Sequence, residues 1–119
     1  MPKKHEALGT HILLEFHGCP PDVIRNSDRV EKLFLKAAEI SKAHIVKTVF
    51  HHFNPHGVSG VVVISESHFA VHTWPEHKFV AIDLFSCSED LKMEKAIDFL
   101  KKELAPKAVS TLRLDRGVL

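Results

Sequence analysis

Residues 57–76 read Gly57-Val-Ser-Gly-Val-Val-Val-Ile-Ser-Glu-Ser-His68-Phe-Ala-Val-His72-Thr-Trp-Pro-Glu76, and they set the architecture of the chain. The β-branched run Val61–Ile64 and the apolar Phe69-Ala-Val71 flank a short polar centre, Ser65-Glu-Ser67, which predicts two strands, 59–65 and 68–74, joined by a tight hairpin around Glu66. Such a hairpin places Ser59 roughly opposite His72. Both then lie far from the tip, because the five residues from Ser67 to His72 span roughly 16 Å at about 3.3 Å per residue. Hydroxyls, imidazoles and a carboxylate at this density are not what an ordinary core hairpin carries.

Working outward, residues 9–16 read as a first strand ended by the turn at Gly18-Cys-Pro-Pro21. From about Ser27 to Ala43, Val30, Leu33, Phe34, Ala37 and Ile40 form one helical stripe behind an Asn26/Ser27 cap. Residues 44–53 return to strand character and stop at the turn Asn54-Pro-His-Gly57. A strand over 79–85, a helix from about Glu89 to Leu104 and a final strand over 108–114 complete the order β-α-β-β-β-β-α-β. That order predicts an α+β two-layer sandwich, a largely antiparallel sheet with two helices on one face. In Val61–Ile64 and Val80–Phe85 both alternating faces are largely apolar, although two helices cover only one side. The second face is therefore expected to meet the sheet of a second copy, giving an α/β/β/α homodimer.

The 119 residues, 45% hydrophobic with a formal charge of +1, suit a single domain spanning 1–119 with one core. Near-neutral, interspersed charge gives no footprint for nucleic acid or an anionic membrane. No run approaches the roughly 20 apolar residues of a membrane span, so a soluble, cytoplasmic protein is expected. Cys19 and Cys87 form no CxxC pair and read as free thiols.

The Ser-Glu-Ser-His motif at 65–68, with Gly57-Val-Ser-Gly60, His72-Thr-Trp-Pro-Glu76 and Ala81-Ile-Asp-Leu-Phe85 followed by Cys87, resembles the prokaryotic S-adenosylmethionine decarboxylase proenzymes over nearly the whole chain. The resemblance implies self-cleavage between Glu66 and Ser67, by attack of the Ser67 hydroxyl on the Glu66 carbonyl and β-elimination of the resulting ester. Two chains result: a β chain, 1–66, and an α chain, 67–119, that opens with a covalent pyruvoyl cofactor made from Ser67. An amine substrate condenses with that ketone, and the imine accepts the electron pair released as carbon dioxide departs. By the same resemblance Ser59 and His72 assist processing, His72 as the base. Cys87 reprotonates the substrate α-carbon, Phe53 stacks on adenine, and Glu76 binds the ribose. The implied activity is decarboxylation of S-adenosylmethionine to the aminopropyl donor for spermidine synthesis, with ornithine or arginine as alternative substrates of the same fold and cofactor.

Each residue also has a plainer reading. Alone, Ser59 is a strand-start hydroxyl, Cys87 a small buried hydrophobe, His72 a core histidine, and Phe53 a core or interface aromatic. Their joint occurrence in one order is what those separate readings leave unexplained. Since Ser59 and His72 lie far along the hairpin from Ser67, they are expected to act on the partner's serine, making each active site of the homodimer composite. The ten histidines suggest another class, a non-catalytic histidine-rich metal- or ligand-binding domain. Against it, His68 and His72 on a strand stand about 13 Å apart, too far to share an ion with bonds near ~2.0 Å; no metal site is assigned.

Overall fold

The computed structural model describes residues 7–119. The decisive hairpin forms as expected: β3 (Val58–Ile64) and β4 (Ser67–Trp74) pair in a register that sets Ser59 opposite His72 and Ile64 opposite Ser67. The turn is therefore two residues long, Ser65-Glu66. With β1 (Ala7–His17), β2 (Ile45–His52), β5 (Phe79–Ser86) and β6 (Ala108–Val118), the strands make one antiparallel sheet in the order β2-β3-β4-β5-β1-β6.

Side-chain alternation gives that sheet two unlike faces. Ile12, Leu14 and Phe16 of β1, Val80, Ile82 and Leu84 of β5, and Phe69 and Val71 of β4 are fully buried. They pack with Val30, Phe34, Ala37 and Ala38 of α2 (Ser27–Ile40) and with Ala96, Leu100 and Leu104 of α3 (Met93–Leu104). Helix α2 starts at the predicted cap, where the Asn26 side chain accepts from the Arg29 N–H at 3.0 Å. A one-turn helix, α1 (Pro21–Ile24), follows the Pro20-Pro21 turn. Gly60 is needed on β3 because the Phe50 ring of β2 lies over it, 2.1 Å from where a Cβ would stand.

Three boundaries differ from the periodicity by three residues or more, the first being the end of α2 at Ile40 rather than about Ala43. Helix α3 begins at Met93 rather than near Glu89, because serine side chains bond the intervening backbone, Ser86 that of Ser88 and the Ser88 hydroxyl the Asp90 N–H. The Ser86 hydroxyl takes both backbone bonds, donating to the Ser88 carbonyl and accepting from the Ser88 N–H, and such local bonds compete with helix formation. Strand β6 runs on to Val118 because β1 starts earlier and offers partners along its whole length, up to the pair Ala7–Val118.

On the helix-free face, Val49, Val61, Val63, Trp74, Leu112 and Leu114 are 36–59% exposed. Among the described residues no helix is long and apolar enough to cross a membrane.

Candidate active site

The Ser65-Glu66 turn carries strain at the residue that follows it. Hairpins of two-residue loops favour primed turns, which need positive φ at the first or at both central residues. Ser65 and Glu66 both keep negative φ, and the mismatch falls on Ser67, whose φ is +148°. Lys42, Lys78 and Ala105 also have positive φ, but at 47–68° just past the last turns of helices, where left-handed residues are common. Ser67 is different: a non-glycine residue in so sparsely populated a region costs about 1–3 kcal/mol, held only by its surroundings.

Those surroundings fasten the turn from both sides. On the β5 side, the Cys87 N–H donates to the Glu66 carbonyl oxygen at 2.8 Å. That carbonyl precedes Ser67, and a backbone donor on it polarises the carbon and would stabilise negative charge developing on the oxygen. On the β2 side, the His44 N–H donates to Glu66 Oε1 at 3.1 Å and the His44 ring nitrogen Nδ1 lies 2.6 Å from Oε2. The ring and the N–H of His44 together hold the Glu66 carboxyl below the usual carboxylate range.

At the other end of the hairpin, Ser59 Oγ and His72 Nδ1 are 2.7 Å apart, on the helix-free side because Val58, Gly60, Val71 and Thr73 occupy the core side. Thr73 is buried and satisfied, accepting from the Val58 N–H and donating to the Ile24 carbonyl. Phe53, Ser59, His72 and Glu76, with Trp74, line a cleft of about 320 Å³, the small end of the range for ligand sites. Phe53 leaves 48% of its surface exposed, with the His51 ring set edgewise to it at 4.5 Å between centroids.

The residues singled out in the sequence thus assemble as two groups, Glu66, Ser67 and Cys87 at the tip and Phe53, Ser59, His72 and Glu76 at the far end. His72 and Cys87 are exposed, which removes the plainer reading of either as a core residue. Cys19 is the structural thiol: it is buried, and burial pushes its pKa up to about 11. Iodoacetamide is accordingly expected to modify Cys87 in the native protein and Cys19 only after denaturation; labelling of both at equal rates would contradict this placement.

Sequence reasoning missed the tip's fasteners, since neither a backbone N–H nor the sequence-distant His44 carries a local signal. It also missed a polar cluster on the helix-free face. Arg116 donates to His11 Nδ1 at 3.0 Å, which leaves the proton of a neutral His11 on Nε2, a buried atom without a hydrogen-bond partner. Asp83 Oδ2 stands 4.0 Å from it. The His68 ring lies 6.4 Å from that of His11, and its pKa is lowered by desolvation, with His11 adding to the effect and Asp83 opposing it. A lowered pKa means that the folded chain takes up this proton less readily than the unfolded one. Stability should therefore fall as pH drops below about 6.5, the unfolded value. His68→Gln should melt with a shallower pH dependence than the wild type between about pH 7.5 and 5.5; identical slopes would show that this imidazole does not sense its burial. Among the described residues no three metal-binding side chains converge.

A model of the S-adenosylmethionine decarboxylase family matches residues 10–117. The chain belongs to that family. The S-adenosylmethionine decarboxylase proenzyme of Thermotoga petrophila is 48% identical over 112 residues, 94% of this chain and 86% of that one. The proenzyme of Thermodesulfovibrio yellowstonii is 42% identical over 113 residues, 95% and 84% of the two chains. The crystal structure of the adenosylmethionine decarboxylase from Aquifex aeolicus superposes with a TM-score of 0.90 at 31% identity, over 96% of this chain and 94% of that one. Membership of the S-adenosylmethionine decarboxylase family implies a pyruvoyl cofactor.

Proposed function

We propose that the chain is a self-cleaving proenzyme whose mature form decarboxylates S-adenosylmethionine, supplying the aminopropyl donor for polyamine synthesis. The observation that carries this reading is the Ser67 backbone at φ +148° behind a carbonyl that accepts from the Cys87 N–H. In self-cleavage the Ser67 Oγ attacks the Glu66 carbonyl carbon while that N–H steadies the oxygen. The Glu66–Ser67 C–N bond breaks, the nitrogen gains the hydroxyl proton, and an ester replaces the amide. Removal of the Ser67 α-proton then expels the Glu66 carboxylate, and the dehydroalanine left at 67 loses ammonia on hydrolysis.

His72 is the base for that proton. We assign the proton of its neutral ring to Nδ1, donated to Ser59 Oγ, which frees the Nε2 lone pair. Roughly 16 Å of strand separates His72 from the Ser67 of its own chain, so the proton comes from the partner's serine. A two-fold axis lying between stacked sheets and across their strands brings one hairpin's tip to the other's far end. The exposed apolar residues of the helix-free face support this homodimer, and a monomer by analytical ultracentrifugation at micromolar concentration would overturn it.

In the mature enzyme the pyruvoyl group supplies an electron sink for decarboxylation. Cys87 returns a proton to the substrate α-carbon, Phe53 stacks on the adenine, and Glu76 accepts hydrogen bonds from the ribose hydroxyls. Intact-mass spectrometry under denaturing conditions tests the reading: two chains, 1–66 and 67–119, are expected, the second without a free amine. One persistent full-length chain would defeat it. Competition among S-adenosylmethionine, ornithine and arginine then tests the substrate, and the stacking and ribose positions predict preference for the nucleoside.

A further inference from the structure

We propose that His44 is a positioning residue for self-cleavage, gripping the Glu66 side chain so that the turn stays in the strained form from which the Ser67 hydroxyl attacks. The inference rests on the self-cleavage reading above and extends it to a residue outside both groups of the site. A carboxylate at a hairpin tip ordinarily extends into water, where it is best solvated. The Glu66 side chain instead folds back toward the start of β2 and is only 12% exposed, although the His44 side chain that holds it is 79% exposed. One residue engages both carboxylate oxygens, Oε1 through its backbone N–H and Oε2 through its ring. The same residue's carbonyl accepts from the Ser65 N–H at 2.8 Å, so His44 binds both residues of the turn.

The opposite pull comes from β5, where the Cys87 N–H holds the Glu66 carbonyl. Strain of the Ser67 kind persists only where neighbouring structure over-determines it. Here the turn is fastened between its two flanking strands, and the bond from the His44 ring is the fastener that a substitution at position 44 removes while leaving the backbone bonds in place. Releasing it lets Glu66 swing outward and Ser67 relax toward ordinary φ. Part of the strain that the amide-to-ester exchange would relieve is then already gone.

The test uses refolded full-length proenzyme and follows cleavage by intact mass. His44→Leu keeps the bulk and loses the ring donor, whereas His44→Asn keeps a donor at similar reach. His44→Leu is expected to cleave about tenfold more slowly, the rate equivalent of the lower part of the strain range, and His44→Asn to recover most of that loss. Glu66→Leu removes that ring contact from the other side, together with the bond from the His44 N–H. The His44→Leu/Glu66→Leu chain should be no slower than the slower single variant.

A second readout isolates the acyl shift. With His72→Ala blocking elimination, the ester fraction is the portion of chain that hydroxylamine cuts after Glu66, and His44→Leu should lower it about tenfold. Wild-type rates in His44→Leu, penalties that multiply in the double variant, or an unchanged ester fraction would each overturn the proposal. If His44→Leu shows no cooperative melt, Glu66→Leu gives the same decision alone. A wild-type chain that never cleaves would sink the self-cleavage reading and this inference with it. If the wild type cleaves, the His44 variants bear on the positioning role alone.

Discussion

Ser67→Ala is expected to remain one chain of 119 residues however long it is incubated, and to show no decarboxylation above the uncatalysed background. On the proposed self-cleavage the loss is total because one residue would have two roles: the Ser67 oxygen would be the nucleophile of the acyl shift, and its carbon skeleton would become the cofactor. A methyl group supplies neither. Comparison with Ser67→Gly adds a measure of strain. Both chains stay uncleaved, but glycine adopts positive φ without steric cost, which removes about 1–3 kcal/mol while adding about 0.5–1 kcal/mol of unfolded-state entropy. Ser67→Gly should therefore be more stable than Ser67→Ala by up to about 2 kcal/mol in denaturant titration. Equal stabilities would mean that position 67 stores no strain; a processed Ser67→Ala chain would move the cleavage site elsewhere.

The second large effect is rescue. His72→Ala alone should slow processing by roughly 10²–10⁴-fold, the usual contribution of a general base, and Ser67→Ala alone should abolish it. Refolded together in equal amounts, half of the dimers pair unlike chains. In each of these, one site combines the intact Ser67 of the His72→Ala chain with the intact His72 of the other. About a quarter of all sites are then complete, and only the His72→Ala chain is cut, which a mass tag on either chain reveals. A site built within one protomer predicts no rescue, because neither chain carries both groups. The ladder register makes this a sharp choice, since Ser59 and His72 pair at one end of the hairpin and Ile64 and Ser67 at the other.

Which features were legible in the sequence follows from the range over which they are encoded. The hairpin of residues 57–76 was readable because alternation and turn chemistry are local, and α2 because its stripe and its Asn26 cap lie within a few turns of one another. The family motif placed Ser67, His72, Cys87, Phe53 and Glu76 in order along the chain. It did not distribute them in space; the strand spacing alone already separated His72 from Ser67. The early end predicted for β6 and the early start predicted for α3 failed for opposite reasons. A strand's length is set by its partner, here β1, whereas local serine bonds can preempt a helix whose apolar pattern continues.

By itself the sequence determined an antiparallel sheet with helices on one side and an apolar second face, since each depends on residue type and short-range period; the family resemblance added Glu66–Ser67 as the pair at which cleavage is proposed. Only the tertiary structure decided that the twist mismatch of the turn falls on Ser67, that the Cys87 N–H meets the Glu66 carbonyl, and that His44 holds the Glu66 side chain. It also brought Arg116 against His11, 105 residues away. These contacts join strands remote in sequence, and the geometry of a backbone carbonyl or a φ angle leaves no mark on side-chain periodicity.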